Sequence, residues 1–132
     1  MTDRQTPLPD NRSPTTRVLA MPRDTNAAGD IFGGWIMSQV DIAASIAAHR
    51  RAKGRVVTVA VNEFQFHEPV FVGDLISCYT EIVHVGTTSL TVHVEVFAER
   101  DRGVEECIRV TQANLTFVAV DEQRRKRPVP GE

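Results

Sequence analysis

The sequence predicts an α+β domain: one long helix wrapped by a curled antiparallel sheet of about five strands. Two features carry that expectation. Residues 34–49 (GWIMSQVDIAASIAAH) place apolar and small residues at helical spacing, with neither proline nor internal glycine. After Gly54 the chain changes character, and most of its 18 valines fall in β-branched runs joined by short connections.

Thr16 to Met21 reads as a short strand stopped by Pro22. A loop with Asp24, Asn26 and Gly29 carries turn chemistry up to the helix, which Lys53-Gly54 ends. Residues 55–66 are apolar on both alternating faces in their first half, as in a strand buried on both sides. Residues 75–85 follow the Val72-Gly73-Asp74 turn, residues 89–98 alternate cleanly, and 106–120 close the chain of strands. Short connections suggest a four-strand meander, with the helix across the concave face of the sheet. Polar, proline-bearing residues 1–12 and 124–132 are expected to form tails around a domain spanning 13–123.

At 132 residues one domain with its own core is expected. Lys and Arg total 15 against 17 Asp and Glu, giving a net charge of −2, which argues against nucleic-acid or anionic-membrane partners. No run suggests a membrane span, and residues 1–13 lack the apolar core of a signal peptide, so a cytoplasmic protein is expected. Cys78 and Cys107 lie in strand-like runs and read as buried reduced thiols. The histidines at 49, 67, 84 and 93 lack metal-site spacing, so no metal is expected. A Gly-x-Ser-x-Gly elbow, a phosphate-binding Gly-rich loop and a dinucleotide fingerprint are absent.

One charge stands out. Between Ile31 and His49 the sole ionised side chain is Asp41, on the same helical stripe as Met37, Ala44, Ser45 and Ala48, which should face the sheet. A carboxylate there costs free energy unless it finds a partner. Ser38, Ser45 or an exposed edge would accommodate it; a general base or nucleophile in a half-buried cleft is the functional reading. The stretch Asn26 to Gly34 is the second unusual element. Gly33 and Gly34 at a helix start let a ligand approach unpaired backbone N–H groups, which suits an oxyanion, although a plain turn-and-cap reading is equally open. Eight residues separate Gly33 from Asp41, roughly 12 Å along one helix. Both act on one carbonyl only if they come from two antiparallel helices of two protomers, so the spacing itself predicts at least a dimer.

The segments RVLAMPRDTNAAGDIFGGWIMSQVDIAASIAAH, GRVVTVAV, F-x-F-x-x-P-V-x-V-G-D and TFVAVD resemble the hotdog-fold acyl-CoA thioesterases, in particular the small bacterial YciA-like acyl-CoA hydrolases, over about residues 15–121. The resemblance implies hydrolysis of acyl-CoA to a fatty acid and coenzyme A, with no cofactor beyond the coenzyme A of the substrate. It implies Asp41 as base or nucleophile, Asn26 contributed by the opposite protomer, and Gly33 and Gly34 as backbone donors to the thioester oxygen. It also implies dimers joined edge to edge into a continuous sheet, assembling further as trimers of dimers.

Coenzyme A carries phosphates, and the chain has 13 Arg against 2 Lys. Arg55, Arg125 and Arg127 are therefore candidate phosphate ligands, with a solvated tail the simpler reading of the last two. In similar proteins the turn Gly86-Thr87-Thr88-Ser89 follows the pantetheine and phosphates; Thr87 stands where relatives often have a basic residue. Phe64, Phe66 and Phe71 are candidates for an acyl pocket or for plain core. A hotdog dehydratase would want a histidine in the loop before the helix, where none occurs. A non-catalytic acyl-CoA-binding module would need no acid at position 41.

Overall fold

The computed structural model describes residues 5–101 and 105–132. Strand β1 (Thr16–Leu19) is followed by a single 3-10 turn, helix α1 (Gly33–Ala52), and strands β2 (Val56–Asn62), β3 (Leu75–Val85), β4 (Ser89–Asp101) and β5 (Glu105–Ala119). One antiparallel sheet forms in the order β1-β3-β4-β5-β2. The expected meander thus holds for β3, β4 and β5 only. The β2 strand leaves the helix and pairs with β5 at the far edge, Val56 opposite Ala119 and Asn62 opposite Asn114. Residues 63–74 then cross back to start β3 beside β1.

Alternation along β4 and β5 turns Leu90, Val92, Val94, Val96, Leu115 and Phe117 inward, and all are fully buried. Against them α1 lays Ile36, Val40, Ala43, Ala44 and Ala48, so the core lies between sheet and helix. Alanine at three of these positions keeps helix and sheet close. The buried stripe is therefore centred on Val40 and Ala44, with Met37, Asp41 and Ser45 at its border rather than under the sheet. Truncating a fully buried side chain such as Phe117 to alanine costs about 3–5 kcal/mol. Among the described residues no helix is long and apolar enough to cross a membrane.

The reading of β2 as a strand buried on both sides is overturned in the protomer. Val57, Val59 and Val61 are 40%, 55% and 41% exposed, because β2 is an edge strand whose outer side has no neighbour. On α1, Met37 and Ile42 are exposed as well. An apolar edge of this kind is what a protein covers with another chain.

The segments expected as tails are partly built into the domain. Gln5 bridges to Ile108, and Arg12 reaches Glu95 at 3.1 Å while lying over the Tyr79 ring. At the other end Val120 bridges Lys126, the Arg127 N–H donates to Ala119 O, and the Val129 N–H to Thr87 O. Residues 1–4, also counted in the expected tail, lie outside the described residues.

The long β2–β3 connection is held by a buried ion pair. Asp74 Oδ2 accepts from Arg100 Nη2 at 2.9 Å and from the Phe71 N–H at 2.9 Å. Arg100 also donates to Pro69 O and covers the Phe71 ring. Ile31 N–H donates to Val70 O, tying this connection to the start of α1.

Candidate active site

Asp41 sits where α1 meets β2. Thr58 Oγ1 donates to Asp41 Oδ1 at 2.7 Å. Neither serine expected as an alternative partner serves it: Ser38 Oγ donates to Gly34 O and Ser45 Oγ to Ile42 O. The carboxylate borders a cavity of about 260 Å³ whose wall, besides Thr58 and Ser38, is apolar: Met37, Val40, Val61, Phe64 and Leu115. The geometry yields a half-buried carboxylate, fixed by one hydroxyl, at the wall of an apolar cleft. Sequence reasoning missed Thr58; its only trace is a hydroxyl amid the valines of VVTVAV.

Gly33 opens α1 with Phe32 at the N-cap position, and no side chain caps the helix. The Trp35 and Ile36 N–H groups fold back onto Phe32 O, whereas those of Gly33 and Gly34 have no hydrogen-bond partner among the described residues. The two glycines differ in surroundings. A methyl group at Gly33 would stand 3.1 Å from Phe66 Cζ, so the absent side chain lets that ring lie on the first turn; Gly34 faces open space. Phe66 packs edge-on against Phe64 at 5.0 Å, and a cavity of about 360 Å³ lies alongside, lined by Ile31, Gly33, Ile36, Phe66 and Val70. In one protomer this cavity and the Asp41 cleft are separate.

Asn26 is exposed on the loop before α1. Its Oδ1 accepts from the Ala28 and Asp30 N–H groups at 2.9 and 3.1 Å, closing an Asx-type turn. What Asn26 has left to offer a ligand is its amide NH₂, a donor.

The residues expected at the phosphates converge on the C-terminal end of β5. Val120 N–H donates to Arg55 O, Ala119 N–H to Thr88 O, and Gly86 N–H to Ser89 O. Arg127, by contrast, is spent on backbone. Its Nε, Nη1 and Nη2 donate to Val120 O, Ala52 O and Arg55 O, so it closes the carbonyl end of α1. Gly54 leaves room beneath it: a methyl group there would come 2.8 Å from Arg127 Nη2 and displace the guanidinium. Arg125 stands in solvent, 3.9 Å from Asp121 within a turn.

Residues 28–105 match the family model of the thioesterase superfamily. The chain belongs to this superfamily. It is 47% identical over 116 residues to the acyl-CoA thioester hydrolase YciA of Salmonella typhimurium, covering 86% of this chain and 87% of the relative. To an acyl-CoA thioester hydrolase of Haemophilus influenzae it is 50% identical over 118 residues, covering 88% of this chain and 77% of the relative. Among solved structures, a hexameric hotdog-fold thioesterase of Campylobacter jejuni superposes with a TM-score of 0.87 at 48% identity, covering 92% of this chain and 93% of that one. A hexameric broad-specificity acyl-coenzyme A thioesterase gives the same TM-score and identity, over 90% and 87%.

Within the superfamily's hotdog fold, both cysteines of this chain are free. Burial pushes the Cys78 thiol up to about 11, against a smaller opposing hydrogen bond with Thr16. Burial and the nearby Glu99 charge also raise that of Cys107. Neither has the lowered pKa of a nucleophilic thiol.

Proposed function

We propose that this chain is an acyl-CoA thioesterase that hydrolyses acyl-CoA to a free carboxylic acid and coenzyme A. The observation that carries the reading is the Asp41 carboxylate, held by Thr58 at the wall of an apolar cleft in a thioesterase-superfamily fold. Asp41 either takes a proton from the attacking water or attacks the thioester carbon itself, forming an acyl-Asp41 anhydride that water hydrolyses after the thiolate has left. The Gly33 and Gly34 N–H groups stabilise the oxyanion. The C–S bond then breaks and the coenzyme A thiolate takes up a proton. Asn26, with Oδ1 engaged in its own turn, donates from its amide to the carbonyl or the water.

Each site draws on two protomers in this reading. Two features support it: the cleft at Asp41 is separate from the cavity at Gly33, and β2 offers an exposed valine edge of the kind that pairing with a second sheet would cover. Hexameric relatives favour further assembly as a trimer of dimers. The function is tested by following thiol release from a panel of acyl-CoAs with a thiol reagent, for wild type and Asp41→Asn. Turnover lost in Asp41→Asn, with coenzyme A still bound, supports the assignment. Unchanged turnover removes Asp41 from the mechanism.

A further inference from the structure

The seam between α1 and β2 continues past Asp41. On the helix, Ser45 and His49 follow Asp41 at successive intervals of four residues and so share its face. On the strand, Val56 precedes Thr58 by two and shares its side. Ser45, Ile46, His49, Arg50, Arg55 and Val56 line a groove of about 490 Å³. It lies next along the seam from the cleft that holds the Asp41–Thr58 pair. His49 lies roughly 12 Å beyond Asp41 along the helix axis.

The groove is cationic and uncompensated. No carboxylate lines it, and among the described residues the Arg50 and Arg55 guanidinia have neither an ion pair nor a hydrogen-bond partner. Five other arginines are committed: Arg12 and Arg109 to Glu95, Arg100 to Asp74, Arg51 to Pro130 O, and Arg127 to three carbonyls. The carbonyl end of α1, which favours cations nearby, is already served by Arg127. What distinguishes Arg50 and Arg55 is that two unpaired guanidinia share one groove with Ile46 and Val56, an arrangement suited to phosphate oxygens.

We infer that His49, Arg50 and Arg55 form the phosphate-binding end of the substrate groove, in place of the more obvious basic run at 124–127. This rests on the acyl-CoA reading above. A thioester held at Asp41 would send its pantetheine arm along the α1–β2 seam and deliver the diphosphate and phosphorylated ribose to these side chains.

The test uses the full chain and two substrates with the same acyl group: the acyl-CoA, and the acyl-pantetheine, which has no phosphates. For Arg50→Ala/Arg55→Ala, the ratio of kcat/KM for acyl-CoA to that for acyl-pantetheine is expected to fall about tenfold from its wild-type value. The ratio cancels any loss of folded enzyme, because both substrates report on one preparation. Coenzyme A affinity, measured by calorimetry, is expected to weaken by a similar factor. A wild-type ratio and affinity in the double variant, or an equal fall for both substrates, overturns the inference while the thioesterase reading stands. Wild-type enzyme that cleaves neither substrate overturns that reading instead, and the coenzyme A titration then decides the phosphate site separately. Arg124→Ala/Arg125→Ala serves as the competing assignment: a larger fall there than in the Arg50/Arg55 variant also overturns the inference.

Discussion

Thr58 of β2 donates a 2.7 Å hydrogen bond to Asp41 of α1, among the described residues the single side-chain bond to the carboxylate. The pair joins the edge strand to the helix at the point where the cleft begins. Its geometry depends on β2 lying beside β5, with Thr58 opposite Phe117. Removing the carboxylate and removing the hydroxyl should therefore have effects of different size.

Asp41→Asn keeps the shape of the side chain and removes its basicity. Turnover of acyl-CoA is expected to fall by about 10²–10⁴-fold with coenzyme A affinity retained. Steady-state kinetics alongside a coenzyme A titration checks both halves.

Thr58→Val leaves the base in place but frees its rotamer. About a tenfold fall in kcat is expected, the scale of one hydrogen bond to a charged group. Thr58→Ser, which keeps the hydroxyl, should recover most of it. If valine and serine variants behave alike, the hydroxyl has no positioning role.

Shared sites are tested by mixing two inactive proteins. An Asn26→Ala protomer paired with an Asp41→Asn protomer reconstitutes one intact site and one doubly defective site. Random exchange of the two is expected to restore about one quarter of wild-type activity if dimers form symmetrically. Sites confined to one protomer would recover nothing. Val59→Lys, which places a charge on the exposed valine edge, should shift the protein toward monomer in sedimentation and lower activity in parallel.

The Asp74–Arg100 pair is almost fully buried, with 1% and 8% exposure. Asp74→Ala leaves Arg100 without its counter-charge and the Phe71 N–H without its acceptor. A loss of about 3–5 kcal/mol is expected in urea unfolding. Because this pair pins the segment beyond Phe66, the variant should also loosen the ring that lies on Gly33, raising KM in the surviving folded enzyme.

The buried Cys78 thiol gives a pH signature. Its folded pKa of about 11 exceeds the ordinary value of 9.0, so the unfolded chain releases the proton first as pH rises. Stability from this group is complete below the ordinary value and is lost on the way up to the folded one. The loss amounts to as much as about 3 kcal/mol. Urea midpoints at about pH 8 and about pH 10.5 should differ more for wild type than for Cys78→Ala. In the thiol-release assay, native Cys78 is expected to stay unlabelled.

Much of this protein could be read from local chemistry. The alanine-rich run fixed α1, β-branched runs between turns marked β3, β4 and β5, with clean alternation along β4, and a lone carboxylate among nineteen residues marked Asp41. Spacing alone put Gly33 too far from Asp41 for one protomer to unite them. These readings need only the periods of helix and strand and the cost of burying charge. What the tertiary structure decided involves residues distant in the chain. The valines of β2 are apolar on both faces in either setting, and only pairing with β5 shows them to be an uncovered edge. The arginines at 50, 55 and 127 carry the same charge. Backbone carbonyls from three other segments engage Arg127, while the α1–β2 seam leaves Arg50 and Arg55 free. Composition sets the charge a side chain carries, but only folding sets which partners reach it.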